Sequence, residues 1–310
     1  MNEFELIARL TRSLPGNAAV VVGAGDDCAV LDLGLADRFL LFKTDAVVEG
    51  IHYAKDASPE SIGHKALARC LSDIAAMAGT PTAALVTLGL PRAFDPGYIE
   101  ALYAGMTALA RRHATAIAGG ETTTSPERLF VSIALLGTVA KDKCALRTGA
   151  QPGDALFVTG ELGGSLAGRH LEFEPRVIEA QWLADHFAIH SMIDLSDGLA
   201  GDVRHLLQAS HVGAELFAPA IPISRAARAR ARAASSAQPP LLAALTDGED
   251  FELLFTVASR DAVPLLDAWK ARFPEVPLAC IGKITAAPGV TIRGPEGVKP
   301  LTEHGYTHFA

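Results

Sequence analysis

Gly23-Ala-Gly-Asp-Asp-Cys-Ala-Val-Leu-Asp32 sets two adjacent aspartates straight after a Gly-x-Gly bend, between the apolar runs Val20-Val21-Val22 and Ala29-Val30-Leu31. Two strands meeting at an acidic bend predict the start of a sheet-containing domain. The bend itself has two readings. It is a hairpin turn, because Gly and Asp are the residues that tight turns favour, or it is a ligand site, because two negative charges between apolar strands are costly unless a cation lies against them.

Working outward, Phe4, Leu6, Ile7 and Leu10 recur at helical spacing and predict a short amphipathic helix ahead of this stretch. Behind it, Phe39-Leu-Leu-Phe42 is an apolar run that predicts a buried strand delivering Lys43-Thr44-Asp45 at its end. Val47 to Tyr53, interrupted by Gly50 and carrying His52, predicts a loop or a second strand. Pro59 opens a helix that Gly79 and Pro81 stop. Its apolar stripe reads Ile62, Ala66, Cys70, Asp73, Met77, so an aspartate occupies the buried face. A buried Asp needs an ion pair or a metal. A strand at Ala83–Leu90, a helix from Asp95 to His113 and a short strand Thr115–Ala118 follow. That strand is expected to end in Gly119-Gly-Glu-Thr-Thr123, which places Gly120 and Glu121 just past it. Leu129 to Val139 predicts a long strand. It closes an α/β domain over residues 1–140, with Lys141-Asp-Lys143 as the boundary.

Residues 141–310 form the second expected domain. Arg147 lies in a turn-rich segment, and Gly160-Glu-Leu-Gly-Gly-Ser-Leu-Ala-Gly168 could cradle an anion although it lacks the Gly-Lys-Ser/Thr ending of a P-loop. Asp194-Leu-Ser-Asp-Gly198 precedes a helix. Its carboxylates and amides suit metal and phosphate together, or Ser196 and Asp197 cap that helix. Residues 225–240 are locally basic and predict a solvated helix and loop. Asp247-Gly-Glu-Asp-Phe-Glu252 leads an acidic turn into a strand.

The chain has 310 residues, 49% of them hydrophobic, and a net charge of −8, which disfavours nucleic acid held on a basic face. Cysteines 28, 70, 144 and 280 form no C-x-x-C pair and no dense framework. No leader and no membrane-spanning run is apparent, so the expected location is cytoplasmic. The carboxylates Asp26, Asp27, Asp45, Asp73, Glu121, Asp194 and Asp197 lie mostly beside glycines at expected strand ends. An oxygen-only donor set without His or Cys selects hard cations, hence Mg²⁺ and phosphate chemistry.

The ordered motifs Gly-Ala-Gly-Asp-Asp-Cys-Ala-Val, Thr44-Asp-x-x-x-Glu-Gly-x-His52, Lys65-Ala-Leu-Ala-x-x-Leu-Ser-Asp-Ile-Ala-Ala-Met-Ala-Gly79, Gly-Gly-Glu-Thr-Thr, Asp-Leu-Ser-Asp-Gly-Leu and Gly-Glu-Asp-Phe-Glu-Leu resemble the thiamine-monophosphate kinase family. The match runs from the first helix to the Gly-Tyr-x-His-Phe ending. The resemblance implies ATP-dependent phosphorylation of thiamine phosphate to thiamine diphosphate. It also implies an α/β plus α+β fold shared with aminoimidazole ribonucleotide synthetase, in a homodimer whose N-terminal domains build a common β-barrel and whose C-terminal domains are α+β. Carried over, Asp27, Thr44, Asp45, Asp73, Glu121, Asp194 and Asp197 would hold several Mg²⁺ ions. Gly120, Glu121, Arg147 and Ser196 would contact ATP, and His52, Glu249 and Tyr306 would line the thiamine phosphate site. The accepting phosphate oxygen is already anionic, so no general base is required, and in-line positioning with charge neutralisation suffices.

Three departures stand out. Lys43 occupies a position where that family usually has Ser or Thr, and an ammonium cannot ligate a metal, so Lys43 is expected to replace an ion. Glu121 stands where Asp is usual. Gly168-Arg-His-Leu171 runs almost directly into Pro175-Arg176, a shortened connection. Two other readings stay open: a sister ATP-dependent enzyme with another substrate, and a catalytically silent nucleotide-binding protein.

Overall fold

The computed structural model describes residues 3–233 and 238–307. It divides into two compact units, one comprising Ala19–Cys144 and Gly168–Gln181, the other Met1–Ala18, Ala145–Ala167 and Trp182–Ala310. After helix α1 (Glu3–Thr11), the first of these units contains β1 (Val20–Val22), β2 (Ala29–Leu31), β3 (Arg38–Val48), α2 (Pro59–Ala76), β4 (Thr80–Leu90), α3 (Pro96–Arg112), β5 (Ala116–Thr124) and β6 (Phe130–Ala140). The strands form one sheet in the order β1-β2-β3-β6-β4-β5, antiparallel except for the β4–β5 pair.

Helix α2 begins where the sequence predicts. The Ser58 hydroxyl accepts from the Ser61 amide at 3.1 Å, and Pro59 fills the first turn. It ends at Met77 and Ala78, the latter with φ +55°, before Gly79. In β6 the odd residues Val131, Ile133, Leu135 and Val139 are buried and the even ones half-buried, the alternation of a sheet covered on one face. The opposite face leaves Phe42 and Leu85 exposed. Helices α2 and α3 approach backbone to backbone, since a Cβ at Gly63 would collide with Leu102 O and one at Gly105 with Glu60 O.

Two strands differ from expectation. β3 does not stop at Phe42 but runs through Lys43-Thr44-Asp45 to Val48, because β6 pairs with it along the whole length, Arg38 with Ala140 through Val48 with Phe130. Likewise β5 continues through Gly119-Gly120-Glu121 to Thr124, held by parallel pairing with β4. Neighbouring strands therefore extend segments whose local composition predicts an end. Gly119 and Gly120 adopt φ +145° and +158°, which only glycine takes easily, and a Cβ at Gly120 would run into Val86 O.

The second unit contains β7 (Ala155–Thr159), the end of α4 (Val177–His186), β8 (Ile189–Asp194), α5 (Leu199–Ser210), β9 (Gly213–Phe217), α6 (Arg225–Ala233), α7 (Pro240–Thr246), β10 (Leu253–Val257), α8 (Ala262–Arg272), β11 (Leu278–Thr285), β12 (Gly289–Gly294) and β13 (Gly297–Pro300). Its sheet has the order β13-β12-β9-β11-β7-β10-β8, with only β12–β9 parallel among these pairs. Val158, Ile193, Leu254 and Ile281 pack in one buried cluster with Val203, Leu206 and Leu207 of α5. Phe157 and Phe255, from neighbouring strands, stack at 5.7 Å and are fully buried, each burial contributing about 1.5–3 kcal/mol. The basic segment is helix α6 as far as Ala233, and its arginines are exposed. Residues 234–237 of that segment, and His308-Phe309 of the expected Gly-Tyr-x-His-Phe ending, lie outside the described residues. Among the described residues no helix is long and apolar enough to cross a membrane.

Candidate active site

In the first unit, the acidic bend serves as turn and as carboxylate donor at once. The Asp27 amide donates to Asp26 Oδ1 at 3.0 Å, so Asp26 shapes the bend, while Asp27 is buried. A carboxylate oxygen of Asp27 and one of Asp73, equally buried on α2, lie within 4.8 Å of each other. Strand alternation puts Leu41, Lys43, Asp45 and Val47 on the face of β3 that meets α2. The Lys43 ammonium reaches Asp73 Oδ1 at 2.6 Å, and Arg69 grips Asp45 with Nε at 2.8 Å and a second nitrogen at 3.2 Å. Burial pulls the Lys43 pKa down, but the charges of Asp73 and Asp45 outweigh it and hold the pKa above its ordinary value.

The same alternation places the Thr44 side chain on the opposite, exposed face. Gly120 and Glu121 sit on the edge strand β5, three strands from Asp45, or about 14 Å at ordinary strand spacing. One chain thus brings Asp27 and Asp73 together, pairs Asp45 with Arg69 and keeps Glu121 apart. His52 lies in the tight turn after β3, where its Nδ1 accepts from the Val48 amide at 3.1 Å.

In the second unit, main-chain bonds stitch the predicted segments together. Asp194 ends β8 opposite Leu253 and is buried. The Glu249 amide donates to Ser196 O at 2.6 Å, the Phe251 amide to Leu195 O at 2.7 Å, and the Tyr306 amide to Asp197 O at 2.9 Å. Ser196, Asp197, Glu249 and Tyr306 therefore converge. Glu249 and Phe251 hold φ +57° and +52°, strained values that persist only where the surroundings impose them. A Cβ at Gly305 would lie 2.6 Å from Asp197 O, so the Tyr306 crossing needs that glycine. The other acidic groups of this turn are committed to structure. Asp247 accepts from Gly164 N–H and Arg230, Asp250 from Gly163 N–H, and Glu252 from the Thr159 hydroxyl. The amides of Gly163 and Gly164 are consequently taken by side-chain carboxylates rather than open to a bound anion.

Residues 25–139 match the family model "AIR synthase related protein, N-terminal domain", and residues 151–294 match the corresponding C-terminal domain. The chain is 43% identical to the thiamine-monophosphate kinase of Rhodopirellula baltica, over 90% of its own length and 87% of the relative's. It belongs to the thiamine-monophosphate kinase family. The family's member from Escherichia coli (strain K12) is 35% identical over 99% of this chain and 98% of its own. Among solved structures of the family, AaThiL complexed with AMPPCP and TMP superposes with a TM-score of 0.82, at 28% identity, covering 99% of this chain and 97% of that one.

Sequence reasoning missed three side chains. Asp202, fully enclosed in the first turn of α5, accepts the Asp197 amide at 3.1 Å. Burial and then the charges of Asp197 and Asp194 push its pKa well up, against the pull of that bond and of Arg147. Its position just after a glycine N-cap was the available signal. Lys65 is fully buried and contacts His170 of the short connection at 2.8 Å. Being three residues from Ile62, it shares the buried stripe of α2. Nothing local marks His170. The donor chemistry suits Mg²⁺: Asp27 and Asp73 are buried, close and oxygen-only, as a hard cation requires.

Proposed function

We propose that this chain transfers the γ-phosphoryl group of ATP to the phosphate of thiamine phosphate, yielding thiamine diphosphate and ADP. The observation that carries the reading is the 43% identity, over 90% of this chain, to a thiamine-monophosphate kinase. An oxygen of the accepting phosphate bonds to Pγ as the bond from Pγ to the β,γ-bridging oxygen breaks, and ADP leaves with that electron pair. The acceptor is already anionic, so no side chain has to remove a proton.

The Mg²⁺ ligands in this reading are Asp27, Thr44, Asp45, Asp73, Glu121, Asp194 and Asp197. Several bound Mg²⁺ ions would neutralise the facing phosphates. Gly120, Glu121, Arg147 and Ser196 contact ATP, Arg147 as a fixed positive charge. His52, Glu249 and Tyr306 line the thiamine phosphate site, where a carboxylate and an aromatic face suit a cationic thiazolium ring. Lys43 stands in for one ion, a role supported by its 2.6 Å contact with Asp73. We further infer a homodimer in the cytoplasm, with residues 1–140 as the dimerisation domain and 141–310 as the α+β domain. The open sheet face with exposed Phe42 and Leu85 supports a shared barrel. An interface of that kind is what would let Glu121 meet a carboxylate cluster.

The test is thiamine diphosphate formation from thiamine phosphate and MgATP, resolved by chromatography. Product dependent on both substrates is expected. A folded protein that binds ATP and forms none would overturn the proposal in favour of a silent nucleotide-binding protein.

A further inference from the structure

The turn that carries His52 is fastened by three main-chain bonds and one to its own ring. Gly50 N–H donates to Tyr53 O at 2.8 Å, and Ile51 and His52 N–H both donate to Val48 O at 3.1 and 3.0 Å. The Val48 amide then donates to His52 Nδ1. A neutral ring accepting at Nδ1 carries its proton on Nε2 and presents that N–H as a donor. Beneath the turn lies Lys65, with no exposed surface, whose Nζ donates to His52 O at 2.6 Å. Burying an ammonium is costly and is tolerated only where acceptors meet it. The second acceptor is His170 Nδ1 at 2.8 Å, which must accept because an ammonium can only donate.

His170 reaches this place because the short connection folds back on α2 and α3. Ser61 donates to Glu172 at 3.1 Å, His64 Nε2 lies 2.7 Å from Phe173 O, and Arg112 donates to Glu174 at 2.9 Å. The connection is therefore firmly seated, and so is the imidazole that holds Lys65.

We infer that Lys65 and His170 form a positioning pair that locks the His52 turn, so that the His52 Nε2–H is presented to the phosphate monoester of the acceptor substrate. The inference rests on the proposed role of His52 as a substrate contact. A phosphate dianion accepts such an N–H in a charge-assisted bond, which requires the ring to be fixed rather than charged. The pair itself touches no reacting atom.

Calorimetric titration of thiamine phosphate and, separately, of AMPPCP into His52→Ala, Lys65→Met, His170→Leu and His170→Gln tests this without requiring turnover. Thiamine phosphate affinity should fall about ten- to a hundredfold in the first three variants, with AMPPCP affinity unchanged. His170→Gln should recover most of it, since the amide oxygen can accept from Lys65. Long-range ¹H–¹⁵N spectra should show His52 as a single Nε2–H tautomer, lost in Lys65→Met. Equal losses for both ligands would mean a merely structural role and would overturn the inference. An unaffected His52→Ala would remove the substrate role of His52. A weakened His52→Ala beside unaffected Lys65→Met and His170→Leu would sink the positioning pair alone. Should Lys65→Met fail to fold, the contrast between His170→Leu and His170→Gln decides.

Discussion

The two acidic clusters of this protein solve one electrostatic problem in opposite ways. Around Asp27, Asp45 and Asp73, buried negative charge is balanced by the side-chain cations Lys43 and Arg69. Around Asp194 and Asp197, the carboxylates are set by main-chain bonds from Glu249 and Tyr306, and the innermost carboxyl, Asp202, is pushed toward its neutral form. Charge holds the first cluster and backbone geometry holds the second. The first should respond to loss of a cation and to divalent ions, the second to pH and to loss of a hydrogen-bond acceptor.

Removing the cation is the strongest way to break the contrast. Lys43→Met leaves Asp73 uncompensated beside Asp27 and should cost about 3 kcal/mol in metal-free buffer. Added Mn²⁺ should restore most of that loss, and electron paramagnetic resonance should count an additional bound ion. An unchanged melting temperature, or no extra ion, would show that Lys43 replaces no cation.

Asp202 sharpens the other side of the comparison. Asp202→Ala strands the Asp197 amide and should cost about 1–3 kcal/mol, whereas Asp202→Asn keeps an acceptor and should stay within about 1 kcal/mol of the parent. The sign with pH follows from the raised pKa. The folded state holds this proton when the unfolded chain has lost it, so the contribution is full below the ordinary value of 3.8 and is lost as pH rises through the folded pKa. In Mg²⁺-free chemical denaturation at increasing pH, the parent should therefore lose stability relative to Asp202→Asn. Parallel curves would contradict the assignment.

The smallest effect is expected at Glu174, a half-exposed carboxylate that the His113 hydrogen bond, with Arg112, pushes down to about 2 despite partial burial. Its contribution is present above the ordinary value of 4.5 and fades as pH falls toward about 2. Glu174→Gln should cost under about 1 kcal/mol at neutral pH, because such pairs are screened by solvent. The difference from the parent should vanish in acid, and a difference that grows in acid would reverse the sign.

Much of this was legible in the residues. The Pro59 start and Gly79 stop of α2, the buried place of Asp73 and the long strand β6 all follow from local chemistry. The ends of β3 and β5 did not. Lys43-Thr44-Asp45 and Gly119-Gly120-Glu121 look like strand ends because polar and glycine residues lower strand propensity, yet partners across the sheet extend both strands. Local composition put both segments just past their strands, whereas in continuous strands Thr44 faces away from Asp45 and Glu121 lies on β5, three strands from β3.

The sequence by itself determined the family, since its acidic, glycine-rich motifs stand in an order that resembles thiamine-monophosphate kinases. Those motifs are local and survive any error in where the strands end. Only the tertiary structure decided which carboxylates meet, which cation each one faces, and that Lys65 and His170, over a hundred positions apart, close on the His52 turn. Such pairings depend on register and on chain return, which no local pattern encodes, so they emerge only when the elements pack.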